Sequence, residues 1–482
     1  MYYIGVDLGT SSVKLLLLGD EGICNIVSRE YTVSYPKYGW SEQNPEDWWR
    51  ETVEGIKLLT ADIDRTLVKG ISFGGQMHGL VILDSNDNVI RPAILWNDTR
   101  TQQETDYLNN SIGKKGLVDL TGNIAFAGFT APKIIWLRNN EPDNFRKISK
   151  IMLPKDYIIY RLTGKHCTDV SDASGTLLLD VKNRCWSEKM LEITGVSKEQ
   201  LPELYESYEV VGKIKNDIAN ILGFNEVKVI AGAGDNAAGA IGTGTINNGD
   251  CNISLGTSGT IFVASDRYAA DYENAIHNFC HSTGKYHYMA CMLSAASCNK
   301  WWLENIIETT DYAAEYVNYN KLGENKVFFL PYLMGERSPL NDSDIRGMFY
   351  GMSMSTTRQD MSVAILEGVA FALRQNIDII KSMGVDINKS KICGGGTKNK
   401  LWLKIIANVL NIKLEVPENQ EGASYGAALL AAKGCSEEDY SKAADKLKIS
   451  YVVNPEKEIV ERYNNKYAYF MKLYPSIKSA LY

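Results

Sequence analysis

A chain of 482 residues is too long for one ordinary hydrophobic core, so two domains of similar size are expected. Apolar residues make up 45% and charged residues 23%, an ordinary globular balance, and the formal net charge of −7 argues against a nucleic-acid protein, which would carry a basic face. No apolar run approaches the ~18 residues of a membrane span, the N-terminus lacks the pattern of a secretory signal, and nine scattered cysteines without a C-x-x-C read as reduced thiols in a cytoplasm.

Two β-rich segments, YYIGVDLG and SVKLLLLGD, open the chain, joined by a Gly-Thr-Ser turn. A strand VKGISF ends in Gly74-Gly75, from which Gln76, Met77 and His78 are expected to project. APKIIWLRNN is helical, and VKVIAGAG is a strand that stops at Asp235, where DNAAGAIGTG starts a small-residue helix. The Gly/Thr/Asn-rich stretch Gly242–Gly249 marks the expected boundary between domains 1–243 and 244–482. CNISLG and TIFVAS then form another hairpin. AIHNFC and YHYMACML alternate like strands about the turn HSTGK, so His277, Cys280, His281, His287 and Cys291 read as a hairpin rather than a zinc site. MSVAILEGVAFALRQNIDII has helical periodicity, and SKICGGGTKNKLWLKIIANVL is strand, glycine turn, helix. The last stretch, from about 433 to 482, is charged and helical and is expected to pack back on the first domain. Alternating strands and helices make the class α/β.

One phrase occurs twice, half a chain apart: Leu8-Gly9-Thr10-Ser11 returns as Leu255-Gly256-Thr257-Ser258. Each turn offers backbone N–H groups and hydroxyls in a small space, a nest suited to phosphate oxygens. Two such turns, one per domain, can hold a polyphosphate across a cleft. Asp7 precedes the first copy and Ser254 the second. A carboxylate cannot sit directly against phosphate, but it can act through Mg²⁺, which favours carboxylates, waters and phosphate oxygens.

Other nucleotide signatures fail or mislead. No G-x-x-x-x-G-K-[ST] is present. Gly232-Ala233-Gly234-Asp235-Asn236-Ala237 fits a dinucleotide fingerprint, yet Asp235 would aim a carboxylate at the pyrophosphate. As the residue that ends a strand and opens a helix, Asp235 suits an N-cap and equally a general base for a substrate hydroxyl. His78 suits a hydrogen bond to substrate. Gly394-Gly395-Gly396 is a third strand-to-helix turn whose exposed backbone can pack against an adenine or ribose.

GVDLGTSSVK, GAGDNAAGA, SLGTSGT and CGGGTKN together resemble the FGGY carbohydrate kinases, as do GFTAPKIIWLRNN at 128–140 and GMFYGMSMSTTRQDMSVAILEG at 347–368. The likeness runs from residue 2 to about 430. It implies two duplicated actin-like (ribonuclease-H-like) ATPase domains with a catalytic cleft between them. It implies ATP and Mg²⁺, with Asp235 as base, Asp7 supporting the metal, and Met77, His78 and Asn236 at the sugar. Thr10, Gly256, Thr257 and Ser258 would hold ATP phosphates, and Gly394, Gly395, Gly396 and Asn399 would line the base. WSEQNPEDWW, GGQMHG, RPAILWNDTR, LPKDYIIYRLTG, SDASGT and FLPYLMGERSP narrow the likeness to members acting on D-xylulose. Another ketose or polyol (ribulose, fuculose, gluconate, glycerol) is the alternative acceptor, with Gln76–His78 and WNDTR as the discriminating region. A homodimer is implied by the same likeness. Rival classes are a dehydrogenase and an ATP-driven module of the actin or chaperone sort; the second needs no hydroxyl-facing base.

Overall fold

The computed structural model describes residues 1–273, 275–312, 314–316, 319–418, 421–436 and 447–481. In the first half, β1 (Tyr2–Leu8), β2 (Ser12–Gly19) and β3 (Gly22–Glu30) form an antiparallel meander. Helix α1 (Pro45–Leu59) follows, and then β4 (Val68–Gly75) pairs parallel to β1. Helices α2 (Thr130–Asn140) and α3 (Pro154–Thr163) lead to β5 (Val210–Lys213), β6 (Lys228–Ile230) and β7 (Ala233–Gly234). The sheet order is β5-β6-β4-β1-β2-β3, with β7 continuing the parallel pairing on β4. Asp235 then opens α4 (Asp235–Gly242).

The second half repeats this plan. Strands β8 (Cys251–Leu255) and β9 (Gly259–Ser265) form the second hairpin. Strands β10 (His277–Cys280) and β11 (Tyr286–Met292) form the expected hairpin, in which His277 stacks on Phe279 and His287 on Phe262. After the long α5 (Arg358–Ser382), whose start is closed by a Thr357–Asp360 capping box, β12 (Lys389–Cys393) pairs parallel to β8. Helix α6 (Lys400–Leu410), β13 (Lys413–Pro417), α7 (Gly422–Ser436), β14 (Ile449–Val453) and α8 (Lys457–Leu481) complete it. The order is β10-β11-β9-β8-β12-β13-β14, the same meander-then-parallel scheme with one added edge strand.

Strand β1 does not alternate simply, because helices cover both of its faces. Ile4, Val6 and Leu8 belong to one core, whereas Tyr3 packs with Leu16, Leu18, Ala428, Ala431 and Ala432 on the other. That second face belongs to α7, although α7 comes from the C-terminal half. It lies almost backbone to backbone on the sheet and on α4: a Cβ at Gly5 would stand 2.0 Å from the Ser424 carbonyl, and one at Gly426 would stand 1.8 Å from that of Ala238.

The expectation for 433–482 needs correcting. Residues 437–446 lie outside the described residues. Through α7 the chain does rest on the first sheet, but α8 packs on the second half. Tyr463 and Phe470 enter that core, and Tyr463 and Lys466 both bind the buried Glu367 of α5. The aromatic stripe of α8 finds its apolar surface there, against Phe371.

Candidate active site

The carboxyl ends of the parallel strands line one edge. Asp7 pairs in register with Gly74, and Gly74 with Ala233, so Asp7 and the β7–α4 junction stand two strand spacings apart, about 10 Å. Each carboxylate is partly accessible along this edge, but protein encloses it enough for desolvation to dominate. Burial raises Asp7 to about 6; Lys14 opposes the rise and Glu421 adds to it. Burial, then the Asp7 charge, raise Asp235 to about 7, against hydrogen bonds donated by the Asn236 backbone at 2.7 Å and side chain at 2.9 Å. Asn236 thus orients the carboxylate.

Met77 and His78 follow β4 directly. Met77 is buried, and His78 adopts a left-handed φ of 69°. Three contacts hold that conformation: the His78 carbonyl accepts from Thr130 Oγ1 at 3.1 Å and from Lys133 Nζ at 2.8 Å, and Nδ1 meets the Gly175 carbonyl at 2.7 Å. Because a carbonyl only accepts, Nδ1 carries the proton and Nε2 is left as an acceptor. The ring stacks on Phe129 with centroids 4.7 Å apart. Burial, with the Lys133 charge, lowers His78 to about 3, so the imidazole is neutral.

The structure turns part of the discriminating region inward. Gln76 points inward: its amide bonds Gln43 at 3.1 Å, and Gln43 in turn bonds the Thr10 carbonyl at 2.7 Å. Asp98 and Arg100 of WNDTR are buried as well. Arg100 pairs with Asp98 and Glu42 and lies 3.6 Å over Trp40, so this pair fastens the 40–43 segment. Trp96, Asn97 and Thr99 of the same motif stay exposed, and the Trp96 indole donates to Thr10 Oγ1 at 3.0 Å.

In the second half, the Gly256 and Thr257 carbonyls accept from Ala296 and Ala295 N–H groups at 2.8 and 3.0 Å, which pins the β8–β9 turn while the Thr257 and Ser258 side chains remain exposed. Ser254 pairs with Cys393, so Gly394-Gly395-Gly396 lie beside this turn. Gly394 needs its freedom, with φ 94° and a Cβ that would stand 2.7 Å from the Leu255 carbonyl. Gly395 faces open space. Asn399 is placed next to them, but its Oδ1 accepts the Trp402 N–H at 3.1 Å as the N-cap of α6.

A charged cluster behind Asp235 escaped the reading of the sequence. Lys155 Nζ meets Asp156 at 2.6 Å, Asp169 at 3.0 Å and Asp172 at 3.5 Å, all four side chains fully buried. Asp169 accepts from Ser207 and Ser171, and Ser171 Oγ accepts the Gly234 N–H at 3.2 Å. One strand end, that of β7, is thus fixed from beneath. The available signal was Lys155-Asp156 inside the otherwise apolar LPKDYIIY.

The residues present fit a divalent cation. Among the described residues Asp7 makes no side-chain hydrogen bond, and its charge raises the cost of ionising Asp235. One or two carboxylates beside a phosphate nest is a Mg²⁺ environment.

Comparison with known proteins identifies the family. The model of the FGGY family of carbohydrate kinases, N-terminal domain, matches residues 2–242, and its C-terminal counterpart matches 251–435. A xylulose kinase of Staphylococcus xylosus is 38% identical over 440 residues, 90% of this chain and 91% of its own. The crystal structure of a xyloylose kinase from Brucella ovis superposes with a TM-score of 0.96 at 39% identity, covering 100% of both chains. A gluconate kinase from Lactobacillus acidophilus reaches a TM-score of 0.92 at 26% identity, covering 100% of this chain and 98% of its own. The duplicated actin-like plan is therefore the fold; Gly232 serves the approach to β4, where a Cβ would stand 2.2 Å from the Phe73 carbonyl, and Gly234 leaves room for Met77. Among the described residues, no helix is long and apolar enough to cross a membrane.

Proposed function

Since the chain belongs to the FGGY family of carbohydrate kinases, we propose that it transfers the γ-phosphoryl group of ATP to the terminal primary hydroxyl of D-xylulose, giving D-xylulose 5-phosphate and ADP. The acceptor follows from the full-length likeness to proteins named xylulose kinase. The mechanism rests on one observation: the Asp235 carboxylate, held by Asn236, stands at the β7–α4 junction beside the segment that carries Met77 and His78.

The sugar lies against Met77 and His78 with its terminal hydroxyl at Asp235. Near neutral pH Asp235 accepts the hydroxyl proton, the new O–P bond forms, and the bond to the β,γ-bridging oxygen breaks to release ADP. With a loose transition state, positioning and charge stabilisation carry most of the catalysis. Asp7 would hold Mg²⁺, through water, and the bound ion would neutralise charge on the β- and γ-phosphates. The turns at Thr10 and at Gly256-Thr257-Ser258 supply phosphate donors, and Gly394-Gly395-Gly396 with Asn399 flank the nucleoside. Closure of the halves excludes water as a rival acceptor. The nine cysteines, all unpaired, suit a reducing cytoplasm.

ADP release measured across ketoses and polyols tests the reading. D-xylulose is expected to give the highest kcat/KM; a higher value for ribulose, fuculose, gluconate or glycerol overturns it.

A further inference from the structure

Arg337 reaches the sugar side of the cleft from the opposite half. Its position is rigid. Glu336 is buried and accepts the Leu293 and Arg337 N–H groups at 3.0 and 2.8 Å. Ser338 is tied to β11 twice, Ser338 N–H to the Cys291 carbonyl at 3.0 Å and Cys291 N–H to Ser338 Oγ at 3.1 Å. From this base the guanidinium crosses to the first half and lies 5.5 Å over the ring of Phe126. Phe126 packs edge-on against Phe129 at 5.2 Å, and Phe129 stacks on His78. Among the described residues Arg337 forms no ion pair with a carboxylate, whereas Arg91, Arg100, Arg161 and Arg184 all do.

His78 presents only an acceptor nitrogen, and one N–H of the Asn236 amide is taken by Asp235. A ketose bound with its terminal hydroxyl at Asp235 still carries a carbonyl and hydroxyl oxygens at the far end, which require donors. A guanidinium is a planar fork of five. We propose that Arg337, supplied by the second half, binds the ketone end of the sugar seated on Met77 and His78.

This rests on the sugar-kinase reading, and one experiment separates the two. Wild type and the variants Arg337→Met and Arg337→Lys are assayed with D-xylulose, with its polyols, and without sugar. Arg337→Met keeps an unbranched apolar chain and loses every donor; Arg337→Lys keeps the charge and loses the fork. Loss of charge-assisted hydrogen bonds is expected to raise KM for D-xylulose roughly 10- to 100-fold in Arg337→Met, with partial recovery in Arg337→Lys. ADP affinity and the melting temperature should stay near wild type. The preference for ketose over polyol should shrink. An unchanged KM and an unchanged ketose preference overturn the role of Arg337. A variant that loses ADP affinity and melts early also counts against it, because that marks a structural part. If wild type prefers another acceptor, the substrate reading fails, and the same KM comparison on that acceptor decides Arg337.

Discussion

Lys14 Nζ lies 2.8 Å from Glu421 Oε2, joining the first hairpin to the start of α7 from the other half. The two charges act on Asp7 in opposite senses, Lys14 lowering its pKa and Glu421 raising it. Both side chains are partly exposed, so the pair adds little to stability. Its consequence is electrostatic. Lys14→Met should raise the pKa of Asp7, and Glu421→Gln should lower it. The Mg²⁺ concentration for half-maximal activity, measured from pH 5.5 to 8, should rise more steeply on acidification in Lys14→Met than in wild type, and less steeply in Glu421→Gln. Shifts of the same sign in both variants would contradict this.

Asp235 must be ionised to accept a proton. With its pKa raised to about 7, kcat/KM should fall about tenfold per pH unit well below 7 and level off above it. Asp235→Asn should lower kcat by roughly 10² to 10⁴, with ADP binding retained.

The same shift has a stability consequence of definite sign. A carboxyl whose pKa is near 4 in the unfolded chain and about 7 in the fold binds protons more tightly when folded. Stability from this group is full below about pH 4 and is lost progressively as pH rises through 7. Asp235→Asn, which stays neutral, should therefore melt higher than wild type at pH 8, and the gain should vanish towards pH 4. Thermal melts of the unliganded proteins across this range check it.

Gly175 supports His78 from below. A Cβ there would stand 2.4 Å from both Nδ1 and Cε1 of the imidazole. Gly175→Ala should displace the ring and raise KM for the sugar, while KM for ATP changes by less than about twofold, since the atoms that Cβ would meet belong to His78 and Met77. Equal rises in both constants would show general damage instead.

Gly426 has no room to yield, because its nearest neighbour is the Ala238 carbonyl of α4. Gly426→Ala should destabilise by more than about 4 kcal/mol or prevent folding. A soluble variant melting within a few degrees of wild type would refute the close crossing of α4 and α7.

The sequence alone determined the doubled plan, because a repeated Leu-Gly-Thr-Ser with its flanking strands is local information: a hairpin turn is set by the residues in it. The places of Asp7, Asp235, Met77 and His78 at or just past strand ends were legible for the same reason. Tertiary structure decided what depends on distant partners. Gln76 and Arg100 look like sugar contacts in a linear reading, but Gln43, Glu42 and Asp98 draw them inward. The crossing of α7 to the first sheet and the docking of α8 on α5 follow from which apolar faces stand open once both sheets exist. The charge balance at Asp7 likewise arises only when residue 421 is brought beside residue 14, because burial and Coulomb terms depend on positions in space and not on order along the chain.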